Sequence, residues 1–133
     1  MWLLDTNICL HLIRGKPPRV LDRLREVDIH TIAVSSITVA ELQYGVAKSA
    51  RPEQNALALG AFLAPLGVEP FDDAAAAHYG PVRAELERAG TPVGSLDLLI
   101  AAHALALGRT VITNNIREFA RVTGLKVENW VAD

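Results

Sequence analysis

The chain repeats one pattern along its length: a run of three or four apolar or β-branched residues, a small polar or acidic residue, then a stretch of helical character. Strands that short, each separated from the next by a helix, read as a parallel sheet covered on both faces. Trp2-Leu3-Leu4 stops at Asp5, and Thr6-Asn7 offers capping chemistry for a helix that Gly15 can close. After Pro17-Pro18, Arg19 to Glu26 reads as a second helix. The run Thr31 to Val34 reads as a second strand, ending in Ser35-Ser36 before another helical segment. Residues 52–64 are rich in Ala and Leu, Val68 to Phe71 is a third strand candidate, and residues 72–89 are helical with a kink or boundary expected at Gly80-Pro81. Gly90 to Gly94 reads as a loop. Ser95 is expected to cap the most apolar helix, which runs to Gly108 and is apolar on nearly all sides, implying burial. Thr110 to Thr113 is a fourth strand, Asn114-Asn115 a cap, Ile116 to Val122 a helix and Leu125 to Val127 a last strand.

A chain of 133 residues, 50% hydrophobic, fits one domain over residues 1–133 around a single core. Thirteen Lys and Arg against fifteen Asp and Glu give a net charge of −2, which excludes a basic arm or an acidic tail. Contact with nucleic acid must then be local. Residues 1–51 carry seven basic and five acidic groups, residues 52–133 six and ten, so the positive side is the first third. Candidate phosphate contacts there are Arg14, Lys16, Arg19, Arg23 and Arg25, with Arg117 beside the acids further along; surface solvation is the better explanation of each. The single Cys9 excludes an intramolecular disulfide and a cysteine-rich zinc site, and suits a reducing, cytoplasmic setting. MWLLD does not read as a secretory signal, and the apolar stretch Leu98 to Leu107 is too short to span a bilayer, so no membrane association is expected.

In open parallel sheets ligands bind beyond the carboxyl ends of the strands. Asp5 follows the first strand, Glu41 lies in the helix after the second, Asp97 sits in the first turn of the buried helix, and Asn115 and Glu118 follow the fourth strand. Each has a purely structural reading. Asp5 can cap the first helix, while Thr38 with Glu41, and Asn115 with Glu118, have the offset of a reciprocal capping box. Asp97, two residues after Ser95, suits the positive end of a helix dipole. Together they say more, because carboxylates converging on one crevice raise one another's pKa unless a cation is present. An all-oxygen donor set selects Mg²⁺, or Mn²⁺ in its place, over zinc, and such ions suit phosphodiester hydrolysis. Cys9, among Ile8, Leu10 and Leu12, reads as a packed residue, and His103 as a core histidine with at most one hydrogen bond. His11, His30 and His78 have no metal-ligand spacing, the aromatic content gives no base-stacking platform, and there is no phosphate-binding GxxxxGK[ST] loop.

The strings LLDTNI at 3–8, SSITVAELQYG at 35–45, PVGSLDLLIAAHA at 92–104 and VITNNIREFARVTGLKVENW at 111–130 resemble the PIN-domain (PilT N-terminus) ribonucleases of the VapC toxin type, in order and spacing over essentially the whole chain. The resemblance implies a three-layer α/β/α sandwich with a central, mainly parallel sheet. It also implies a Mg²⁺-dependent endoribonuclease toxin of a type II toxin–antitoxin system, neutralised by a VapB-type antitoxin. Asp5, Glu41 and Asp97 match the family's first three acidic positions, with Asp5 and Asp97 the implied metal ligands. Many relatives carry Asp where this chain has Asn115, and Glu118 is expected to supply the missing charge. Thr6, Thr113 and Asn115 match supporting positions. Implied partners are RNA, with tRNA as the candidate substrate, a second copy of the chain, and operator DNA reached only through the antitoxin. Hydrolysis of this kind leaves 5′-phosphate and 3′-hydroxyl ends.

Two other readings compete. A phosphoacceptor receiver domain resembles the chain through Asp5 and Asp72-Asp73, but Lys126 falls inside the last strand rather than after a late one, and a dehalogenase-type phosphatase needs Asp where Asn7 stands. A PIN-like binding module without activity is favoured by Asn115 and opposed by the four retained acids.

Overall fold

The computed structural model describes residues 1–131. Five strands, β1 (Trp2–Leu4), β2 (Ile32–Ser35), β3 (Gly67–Glu69), β4 (Thr110–Ile112) and β5 (Val127–Glu128), form one sheet in the order β3-β2-β1-β4-β5. Every pairing is parallel, with Leu3 opposite both Ala33 and Val111. The first strand is therefore the middle one. The helices between strands are α1 (Thr6–Arg14), α2 (Pro18–Arg25), α3 (Ser36–Ala47), α4 (Pro52–Leu63), α5 (Asp73–Arg88), α6 (Ser95–Leu107) and the short α7 (Ile116–Phe119).

Strand side chains alternate between faces, and the core divides accordingly. Leu3, Ala33 and Val111 pack with Leu86, Leu98, Ile100, Ala101 and Phe119 from α5, α6 and α7. Leu4, Ile32, Val34 and Ile112 pack with Ile8, Cys9, Val20, Leu42 and Leu59 from α1 to α4. This is the three-layer α/β/α sandwich expected from the sequence. No helix among the described residues is long and apolar enough to cross a membrane.

Local chemistry explains most boundaries. Asp5, Ser35 and Asp72 cap α1, α3 and α5 with side chains that accept from Ile8, Ile37 and Ala75 backbone N–H groups. Gly15 (φ +70°) and Gly108 (φ +67°) end α1 and α6 in the left-handed conformation that a Cβ would oppose. Four expectations need correction. The α5 helix continues through Gly80-Pro81, because Pro81 and Ala77, whose carbonyl loses its helical donor, are both exposed and water can take the bond. Ser95 is the first residue of α6 rather than its cap; Gly94 holds the cap position without a side-chain bond. The helix from Ile116 stops at Phe119, well before Val122. Thr31 belongs to a 3-10 turn (Ile29–Thr31) capped by Asp28, so β2 begins at Ile32.

Candidate active site

Asp5 lies immediately beyond the end of the central strand, only 2% exposed. Its Oδ1 accepts from Ile8 N at 2.8 Å, so it does cap α1, and it also receives the Thr113 hydroxyl from the end of β4. Burial pushes its carboxyl up to about 6, against the opposing pull of Thr113, Ile8 N–H and His11, while Glu41 adds to the rise. A capping role and a place in the acidic crevice therefore coincide in one side chain.

Glu41 approaches from α3. Its Oε1 accepts from Thr6 Oγ1 at 2.7 Å, and Thr6 also lies 3.3 Å from the buried Thr38 hydroxyl. The capping box that Thr38 and Glu41 could form is not used: Ser35 caps α3, which places both residues inside the helix. Asp97 sits in the first turn of α6 and is held up to about 7 by partial burial first, then by Glu118 beside it, and then by Asp5 and Glu41. The four acids thus share one field. Glu41 and Asp97 line a crevice of about 450 Å³ together with Thr6, Asn7, Gly94, Ser95 and Leu96, and Asp5 and Glu118 lie near enough to act on Asp97.

Glu118 is fastened to its surroundings at both oxygens. Oε1 accepts from Gly94 N and Oε2 from Asn115 Nδ2, each at 2.5 Å. Asn115 is held in turn by its own N–H, which donates to Thr113 Oγ1 at 2.8 Å. The Asn115–Glu118 pair is therefore not a capping box either; the Asn orients the Glu toward the loop ahead of α6. A Cβ at residue 94 would stand 3.2 Å from Glu118 Oε1, so Gly94 is what lets that loop come so close.

Among the described residues, no three His, Cys, Asp or Glu side chains are drawn together into a ready cation cage. The bonds just described go with this, since Glu41 and Glu118 turn to hydroxyl, amide and backbone donors. The donor chemistry nevertheless fits a hard divalent ion, since the side chains that could ligate there offer oxygen, and two carboxyls are held above their ordinary range, by burial first and then by neighbouring carboxylates.

Of the basic candidates, Arg23 is occupied, donating to Glu128 at 2.7 Å and lying over Trp130, and Arg25 pairs with Asp22. Arg14 lines a second, more apolar groove of about 680 Å³ between α1, α3 and α4, walled by Leu10, Ile13, Leu42, Tyr44 and Leu59. Sequence reasoning missed this groove, because its wall comes from three helices whose packing no local pattern encodes. It also missed His11, whose charge acts on Asp5, and whose ring bonds Lys16 O and Asn114.

A parallel α/β/α sandwich with four carboxylates beyond its central strand defines a PIN-type domain, and residues 2–125 match the family described as PIN domain. The chain is 46% identical over 131 residues to Ribonuclease VapC2 of Rickettsia felis, covering 98% of each. It is 44% identical over 129 residues to the tRNA(fMet)-specific endonuclease VapC of Salmonella typhimurium, covering 97% of each. A solved structure of VapBC2 from Rickettsia felis bound to a DNA fragment from their promoter superposes with a TM-score of 0.92, at 45% identity, over 97% of this chain and 98% of that one. The chain belongs to the PIN-domain family and, within it, to the VapC ribonucleases.

Proposed function

We propose that this ribonuclease is the toxin of a type II toxin–antitoxin pair and that it hydrolyses tRNA in the crevice between α1, α3 and α6. The observation that carries the reading is the set of four carboxylates acting on one another there, with Asp97 held at about 7. Asp5 and Asp97 would hold a divalent cation, Mg²⁺ with Mn²⁺ as substitute. When bound, that ion supplies the Lewis acid for phosphodiester hydrolysis. The chain's own residues supply the rest. Thr6 fixes Glu41 as a proton acceptor at the crevice wall, Thr113 orients the Asp5 carboxylate, and Asn115 holds Glu118 beside Asp97. Uncapped N–H groups at the start of α6 face the same space and suit a phosphate.

Regulation by a VapB-type antitoxin is supported by the apolar groove, which shares Thr6, Asn7, Glu41 and Leu96 with the crevice. A segment seated there reaches the carboxylates directly. Binding of operator DNA through that complex is the matching proposal for a relative solved with promoter DNA, and a homodimer completes it. The test is to incubate antitoxin-free protein with total tRNA in Mg²⁺, Mn²⁺ or EDTA beside Asp5→Ala and Asp97→Asn, and to map the ends. Cation-dependent cuts with 5′-phosphate ends, lost in both variants, are expected; cleavage in EDTA or 2′,3′-cyclic phosphate ends would overturn the reading.

A further inference from the structure

His103 is 1% exposed, and among the described residues no hydrogen bond of ordinary length meets its Nε2. Its Nδ1 shares a 2.8 Å hydrogen bond with the hydroxyl of Ser35, a residue 68 positions away and itself fully buried. A histidine used only as packing could be replaced by an apolar residue without leaving a ring nitrogen short of a partner, so its polar contacts account for its presence, the Ser35 bond before the weaker approach of the Pro70 backbone. Its place in the fold says what that bond does. Ser35 is the last residue of β2 and caps α3 through Ile37 N, so its Oγ fixes where α3 starts. Phe71, whose N–H donates to Ser36, stacks edge-on against the His103 ring at 5.4 Å and closes the pocket around the bond.

The spacing connects this bond to the crevice. Glu41 lies six residues beyond Ser35 on α3, and Asp97 lies six residues before His103 on α6. Six residues of helix are about 9 Å, so the buried bond and the pair of acids stand at matching distances along two helices that run in opposite senses. Sliding or rolling either helix about the bond changes the placement of Asp97 against Glu41 directly. We propose that His103 is a positioning residue: through Ser35 it sets the register of α6 against α3, and with it the placement of Asp97 opposite Glu41.

The proposal rests on the reading of Asp97 as a cation ligand for its effect on activity, but not for its effect on register, and the test separates the two. His103→Leu keeps the volume and removes the bond; His103→Asn keeps a polar group near the Nδ1 position. Spin labels at the exposed positions Gln43 and Leu107 report the separation of α3 and α6 without cation or RNA. The Leu variant is expected to broaden or shift that distance, to weaken Mn²⁺ binding about tenfold, and to lower kcat about tenfold at unchanged KM, while the Asn variant stays near the parent. A Leu variant with parental distance distribution and parental Mn²⁺ affinity would overturn the proposal. If instead Asp97→Asn binds Mn²⁺ as the parent does, the cation reading fails, and the label distances alone decide whether His103 sets the register.

Discussion

Replacing Asp5 by Asn should make the cation-free protein more stable at neutral pH while removing its activity. Asp5 is nearly inaccessible and, chiefly through burial, is held at about 6 against an ordinary 3.8, a displacement equivalent to about 3 kcal/mol. Between those two values the folded chain binds the proton more tightly than the unfolded chain. Asp5's contribution is therefore fully present below about pH 4 and lost as pH rises through 6. Asn carries no charge to desolvate, and its side-chain oxygen can still accept from Ile8 N, so the α1 cap survives. In EDTA at pH 7.5 the variant should melt higher than the parent, by about 10 °C if the whole difference is realised, and near pH 4 the two should coincide. Thermal melts followed by circular dichroism at both pH values measure this. A gain no greater at pH 7.5 than at pH 4, or a less stable variant at pH 7.5, would refute the argument that burial of the Asp5 charge destabilises the cation-free fold.

Three further outcomes follow from the same geometry. Mg²⁺ at a hundred times its Kd should stabilise the parent by about 2.7 kcal/mol at pH 7.5 and do much less at pH 5, where Asp5 and Asp97 are mostly protonated; melts with and without the ion check this. Thr6→Val removes the 2.7 Å bond to Glu41 and should lower kcat about tenfold with KM unchanged in steady-state cleavage assays. Pro81→Ala restores an N–H to the middle of α5 on its exposed side and should raise stability by about 1 kcal/mol or more in urea unfolding, with cleavage unaffected.

The three central strands, the two glycine-closed helices and the burial of α6 were legible because they rest on local pattern: short apolar or β-branched runs, Gly15, Gly108 and an all-apolar stretch; the edge strands, expected at Val68 to Phe71 and Leu125 to Val127, lie at Gly67–Glu69 and Val127–Glu128. The acids were legible as a group, since the residues after the strands of a parallel sheet and the first turn of a helix that leads back into it lie at the same edge. Their partners were not. Thr6 with Glu41, Ser35 with His103 and Arg109 with Glu69 are 35, 68 and 40 residues apart, and which of them meet depends on the strand order β3-β2-β1-β4-β5. The same tertiary choice explains why two correctly spaced capping boxes stay unformed. Glu41 finds a hydroxyl from α1, and Glu118 finds the Gly94 N–H, each a better partner than its own helix start offers.

The position of β1 has a consequence for how this molecule is made. Its first strand waits in the middle of the sheet for a neighbour synthesised more than a hundred residues later: Asp5 N donates to Ile112 O, and the Asp5 carboxylate is oriented by Thr113. Until β4 has left the ribosome, Asp5 has no wall on one side and α6 has no strand to return to. The nascent chain therefore cannot assemble its acidic crevice before β4 is made. A ribonuclease translated amid RNA is in this way kept without its assembled crevice, by the order of its strands, until residues 110–113 have emerged.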